Sequence, residues 1–309
     1  MRPLTRIGAF AALLLLLGAG AALAGGSIDP AVEEGGGHDT EGDAMQIADS
    51  HFETASGHGE ATHGAEGRAQ PGLAVAQGGF ALELERTTLS GGTREKLSFR
   101  IAGPDGDTVR DFDVEHERRM HLIVVRRDYT GFQHLHPAQQ ADGSWSAETA
   151  ALEPGVHRVF ADFSSGGRSL TLGADLFVPG DFAPRPWPDP AERADAGDGY
   201  TVAIETGDLH AGRTSPVRFT VSRNGERVEG VQPYLGADGH LVALREGDQA
   251  FLHTHPEGAA GGEGPITFEV AFPTAGRYRL YLQFRHADEV RTASFAVEAE
   301  GEDSHGGAP

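Results

Sequence analysis

Two stretches of this chain are near-copies of each other, and that repetition limits the folds open to it more than any other feature. Residues 120–137 (MHLIVVRRDYTGFQHLHP) align without a gap on residues 239–256 (GHLVALREGDQAFLHTHP), with seven of 18 positions identical. The surrounding segments repeat as well. Phe80-Ala-Leu-Glu-Leu-Glu opens one unit and Tyr200-Thr-Val-Ala-Ile-Glu opens the other. Each continues to an alternating run (97–101 and 217–221) and later to a longer one (156–163 and 277–284). Successive side chains on a strand point to opposite faces, so a period of two marks half-buried strands. Turn residues recur between these runs, and no stretch of useful length has a helical period. A unit of roughly 100 residues with about seven short strands has the pattern of a β-sandwich. The expectation is an all-β chain with two tandem immunoglobulin-like β-sandwiches, residues 79–180 and 199–300.

The flanks read differently. Residues 1–24 carry Arg2 and Arg6, a leucine-rich run and the small-residue site Ala22-Leu23-Ala24, the layout of a secretory signal peptide. Left uncleaved, that apolar run would sit near the lower length limit for a membrane span. Residues 25–78 hold ten acidic residues against one Arg, with many glycines and His38, His51, His58 and His63. Low hydrophobicity with high net charge predicts a disordered tether there. Residues 181–198 contain the proline-rich APRPWPDP, expected to be a linker, and 301–309 resemble the tether in composition.

Charge and composition close off several chemistries. With 25 Lys+Arg against 46 Asp+Glu the formal net charge is −21. Nucleic-acid affinity comes largely from cationic side chains that neutralise phosphate, so no nucleic-acid partner is expected. The chain has no cysteine, which removes disulfides, thiolate zinc sites, iron–sulfur ligation and a thiol nucleophile. Three methionines are too few for a methionine-rich Cu(I) site. What stands out is 15 histidines.

Six of them fall at matching places in the two copies. Each copy has one histidine and then His-x-His-Pro thirteen residues on: His121, His134 and His136 in the first, His240, His253 and His255 in the second. Asp128-Tyr129 and Gly247-Asp248 sit where a hairpin turn would fall. A two-residue turn opposes His121 with His136, and a four-residue turn opposes it with His134. Either register leaves three imidazoles on one face, with Cβ atoms within about 5–8 Å of one another. Clustered neutral imidazoles with no thiolate suit Cu(II) or Zn(II) and fit Ca(II) or Mg(II) poorly. One three-histidine site per repeat is therefore expected, with water, His116, Asp162 or His286 as the fourth ligand. Met120 is not expected to ligate, because the second copy has Gly239 there.

Two other readings stay open. The histidines share their face with Ile123, Val125 and Phe132, so they could be hydrogen-bonded residues at a core edge in an extracellular interaction module. A three-histidine centre with an open position could also activate water as a metallohydrolase does. No acidic residue recurs at a spacing that would supply a general base in both copies.

The run 121–137 and its copy 240–256 resemble the FixH-like or YtkA-like immunoglobulin-type domains of exported bacterial proteins, which often occur near copper and heavy-metal efflux systems. The resemblance covers both repeats and is specific in the histidine hairpins. It implies a metal-binding protein rather than an enzyme, secreted or in the cell envelope. The implied partners are a metal ion and an envelope metal-transport protein, with membrane contact only through an uncleaved leader.

Overall fold

The computed structural model describes residues 70–301 apart from His253, Ala259 and Glu263. The signal segment, the tether up to residue 69 and the tail from residue 302 lie outside the described residues. Among the described residues no helix is long and apolar enough to cross a membrane.

The first repeat contains β1 (Ala76–Gln77), β2 (Phe80–Leu84), β3 (Glu95–Ala102), β4 (His121–Arg126), β5 (Gln133–Leu135), β6 (Ala138–Gln139), β7 (Trp145–Thr149), β8 (Gly155–Ser165) and β9 (Arg168–Val178). The second contains β10 (Arg193–Asp195), β11 (Tyr200–Thr206), β12 (Thr214–Arg223), β13 (Glu226–Arg227), β14 (His240–Arg245), β15 (Phe251–Leu252), β16 (Thr254–Glu257), β17 (Ile266–Ala271), β18 (Gly276–His286) and β19 (Glu289–Ala299). In the first repeat a sheet ordered β1-β2-β3-β7-β6 faces one ordered β5-β4-β8-β9. The second repeats this as β10-β11-β12-β17-β16 and β15-β14-β18-β19. Taken in chain order, the strands give the ABED and CFG sheets of an immunoglobulin sandwich, with one short strand added beside C. The two sandwiches expected from the repeat are present.

Alternation explains most of these strands. Along β3, Leu97, Phe99 and Ile101 are buried between the sheets while Ser98 and Arg100 are half-exposed. β12 does the same with Val217, Phe219 and Val221. Two strands break the rule. All six residues of β4 are buried, and the middle four of β14. A strand covered on both faces reads as a continuous apolar run, which is what HLIVVR and HLVALR are. Leu122 and Val124 fill the first sandwich's own core, and Leu241 and Ala243 the second's. Their neighbours Ile123, Val125, Val242 and Leu244 point the other way, into a third core shared with Tyr129, Phe160, Phe251 and Tyr281. The β4 and β14 sheets thus pack against each other, and residues 70–301 form four layers of sheet.

Further bonds join the two sandwiches to each other. Tyr129 Oη donates to the Arg245 carbonyl at 2.7 Å, Tyr281 Oη to the Tyr129 carbonyl at 2.6 Å, and Gln249 Nε2 to the Arg126 carbonyl at 2.9 Å. The linker itself is pinned. Trp187 packs edge-on against Tyr129, 4.8 Å between centroids, and β10 extends a sheet from within the stretch read as linker. The predicted tether also ends earlier than expected, because residues 70–78 are structured. Phe251 N–H donates to the Pro71 carbonyl, the buried Arg158 guanidinium donates to the carbonyls of Gly72 and Leu73, and β1 pairs with β2.

Candidate metal centre

His121 begins β4 and His240 begins β14, each on the face turned toward the other sandwich. The β4–β5 connection closes through Tyr129 N–H donating to the Arg126 carbonyl at 2.8 Å, with Tyr129 at φ +65°. That left-handed residue normally favours Gly or Asn. Here a tyrosine is held there by the burial of its ring and its bond to Arg245. The register that results, Leu122 opposite Leu135, brings His121 level with His136, and His134 stands opposite Ile123 on the same face.

The second copy departs from the first at one point. β5 runs to Leu135 before the chain crosses to the opposite sheet as β6, whereas β15 stops at Leu252 and β16 begins at Thr254. That crossing falls two residues earlier in the copy. His255 is consequently on β16, opposite Glu269 and exposed, and is not brought to the seam. His253 lies outside the described residues. Among the described residues, the histidines that come together are drawn from both repeats: His121 and His134 from the first and His240 from the second.

His121, His134 and His240 each offer a ring nitrogen, and these atoms all lie within 4.8 Å of one another. Around a tetrahedral zinc such atoms stand about 3.3 Å apart, so small ring rotations close the set. Ring centroids are 5.2 Å apart for His121–His134, 4.7 Å for His134–His240 and 5.5 Å for His121–His240. Two imidazoles on one tetrahedral ion have centroids roughly 5.2 Å apart, close to these separations. His136 lies 4.8 Å from His134 and 5.3 Å from His121 on the same measure. Its Nε2 is buried and has no hydrogen-bond partner among the described residues.

Proton bookkeeping at the centre is specific. His121 Nε2 lies 3.2 Å from the Glu115 carbonyl and His134 Nδ1 lies 2.7 Å from Gln283 Oε1. The Glu115 carbonyl only accepts, which favours the proton on His121 Nε2, while the Gln283 amide can turn its oxygen or its nitrogen to His134. His121 Nδ1, left with its lone pair, then stands 3.0 Å from His134 Nε2. Metal-bound histidine ordinarily donates its second N–H to a carbonyl or carboxylate, which fixes the tautomer and aims the ring. Glu115 and Gln283 supply that partner to the two rings.

Burial keeps the rings unprotonated. It pushes His134 down to about 3 and His136 to about 4, with the neighbouring histidines adding to both shifts. Burial and then the adjacent imidazoles lower His240 well below the usual histidine range. Burial also lowers His121, although Asp162 pulls the other way. Neutral imidazole is the form that binds metal.

Of the other residues named from sequence, His116 lies 6.1 Å from His121 and 5.9 Å from His240 between ring centroids. Asp162 pairs across the sheet with His121 and accepts from Thr171 Oγ1 at 2.7 Å. His286 is bonded to Tyr200 Oη at 2.7 Å and belongs to another part of the second sandwich. Met120 is buried in the first sandwich's core. Sequence reasoning missed Gln283 and the Glu115 carbonyl. Gln283 could have been found, since it faces His240 in β18 as Asp162 faces His121 in β8.

Residues 74–179 and 194–301 each match a family described as a domain of unknown function, DUF8832. The chain belongs to this family. Its two DUF8832 domains coincide with the two sandwiches to within a few residues and cover more than half of the chain. No curated protein matches the chain. Among solved structures it is similar to the adhesin FdeC of Escherichia coli, at 13% identity over 74% of this chain and 66% of that one, with a TM-score of 0.24. It is also similar to InvD of Yersinia pseudotuberculosis (15% identity, 75% and 61% covered, TM-score 0.24) and to titin A168–A169 (14%, 72% and 98%, TM-score 0.20). The chain thus spans less than two thirds of the length of the first of these. Similarity at that level reaches neither the packing of the two sandwiches nor their function.

Proposed function

We propose that this protein binds one Cu(II) or Zn(II) ion at the seam between its two DUF8832 domains and serves to sequester or deliver it outside the cytoplasm. His121, His134 and His240 are the ligands, and His136 takes the fourth position. The observation that carries this reading is the convergence of ring nitrogens of His121, His134 and His240, from both repeats, within 4.8 Å of one another. A donor set of imidazoles alone matches the chemistry of Cu(II) and Zn(II). A net charge of −21 raises the local concentration of cations around the molecule. With His136 in the place where a hydrolytic zinc centre keeps its water, binding is favoured over catalysis. The signal-like leader and the likeness of the hairpins to FixH-like and YtkA-like domains support a location outside the cytoplasm.

Metal counting tests this directly. Full-length protein is loaded with Zn(II) or Cu(II), desalted and analysed for metal. His134→Ala and His240→Ala should each remove the same single equivalent, although the residues belong to different repeats, and the double variant should remove no more. If the two losses add, each repeat holds its own ion and the shared centre is wrong. If neither variant loses metal, the histidines are structural.

A further inference from the structure

We infer that His116 is the exchange ligand of this centre, the imidazole through which the ion enters and leaves. The inference rests on the metal-binding reading above and assigns a route to that site. Residues 115–118 form a tight turn closed by Glu115 N–H to the Arg118 carbonyl at 2.8 Å and Arg118 N–H to the Glu115 carbonyl at 2.9 Å. Its central residues, His116 at φ +47° and Glu117 at φ +62°, are both left-handed. Such turns favour Asn and Gly, and other side chains there sit in a sparsely populated conformation. The corresponding turn of the second sandwich, between Tyr234 and Ala237, has Leu235 and Gly236 at its centre. There one of the two strained positions is relieved by glycine. In the first sandwich neither is.

The strained turn does two things at the centre. Its Glu115 carbonyl orients His121, as described above. Its next residue places an exposed imidazole with its centroid 6.1 Å from His121 and 5.9 Å from His240. Those separations are longer than the roughly 5.2 Å of two rings on one tetrahedral ion, so His116 stands just outside the set that closes on the ion. His121, by contrast, is only 3% exposed. An ion arriving from solvent meets His116 first and then exchanges its remaining waters, one at a time, for the buried nitrogens. Release runs the same steps backwards. A plausible metal site needs such an entry path.

The test separates the imidazole from the turn. His116→Asn keeps a residue suited to the left-handed position, and Glu117→Gly relieves strain while keeping the imidazole. Full-length parent and variants are loaded with Zn(II), and transfer to the chromogenic chelator 4-(2-pyridylazo)resorcinol is followed by stopped flow, with uptake measured in the reverse direction. His116→Asn should retain the bound equivalent and the parent melting temperature while both rates fall at least tenfold, and Glu117→Gly should exchange at the parent rate. Unchanged rates in His116→Asn would make the turn purely structural. Loss of the equivalent would make His116 a permanent ligand, and equal slowing in Glu117→Gly would assign the effect to the backbone; either overturns the inference. A parent protein that binds no zinc or copper overturns the site itself, a result distinct from all of these.

Discussion

At the residue scale, the features that would make these histidines ligands also tie stability to pH. In the unfolded chain each histidine titrates near about 6.5, whereas in the folded protein His134 is held at about 3 and His136 at about 4. Between those limits the unfolded state binds protons that the folded state does not, so stability is complete above the unfolded value and falls with pH. From neutral pH to pH 5 the loss is about 2 kcal/mol for each histidine that stays neutral. Carboxylates act in a lower window. Burial alone would raise Asp128, but the Arg126 guanidinium and the Arg185 N–H hold it at about 2, so its contribution is lost only below the ordinary carboxylate range. Urea midpoints of chelator-treated protein should therefore drop between pH 7.5 and pH 5, and the drop should shrink in His134→Gln. A midpoint that is flat across this range would mean that these rings are not buried in the neutral form.

At the scale of elements, strand periodicity made the architecture legible and left the packing partner hidden. Alternation in 97–101 and 217–221 marks one buried face and one wet face, and those strands sit as expected. The continuous runs of β4 and β14 carried the signal for a second buried face, but nothing in an apolar face names what covers it. The crossing from one sheet to the other was equally illegible. Both copies read His-x-His-Pro, yet the strand breaks two residues earlier in the second, and that shift removes His255 from the centre. The leading segment was misread because its contacts are backbone carbonyls, which composition does not register. It lies so close over β9 that a Cβ on Gly173 would collide with the Gly72 carbonyl and the Arg158 guanidinium. Gly173→Ala should therefore detach residues 70–73 from β9, leaving Arg158 buried with two fewer acceptors. We expect a loss of about 1–3 kcal/mol and faster proteolysis near residue 70. Unchanged protection of that segment would show that other contacts hold it.

For the whole molecule, the third core gives the two sandwiches a shared apolar seam. Tyr281 is its centre: the ring stacks on Phe132 with centroids 4.1 Å apart, and the hydroxyl donates to the Tyr129 carbonyl. Removing a buried aromatic side chain costs about 3–5 kcal/mol, and here the cost falls on the seam, because neither sandwich's own core includes Tyr281. Calorimetry of the parent should show a single transition, and Tyr281→Ala should split or broaden it as the sandwiches begin to unfold separately. The proposed metal centre would lie on this seam, with His240 on one side and His121 and His134 on the other. Holding them together is part of the binding free energy, so loosening the seam should weaken the ion's grip with every ligand still in place. An ion at a hundred times its dissociation constant stabilises the folded state by about 2.7 kcal/mol. At a fixed free Zn(II) concentration chosen on that basis, Tyr281→Ala should show a smaller zinc-induced rise in melting temperature than the parent. An equal rise in both proteins would mean that the ion is held within one sandwich.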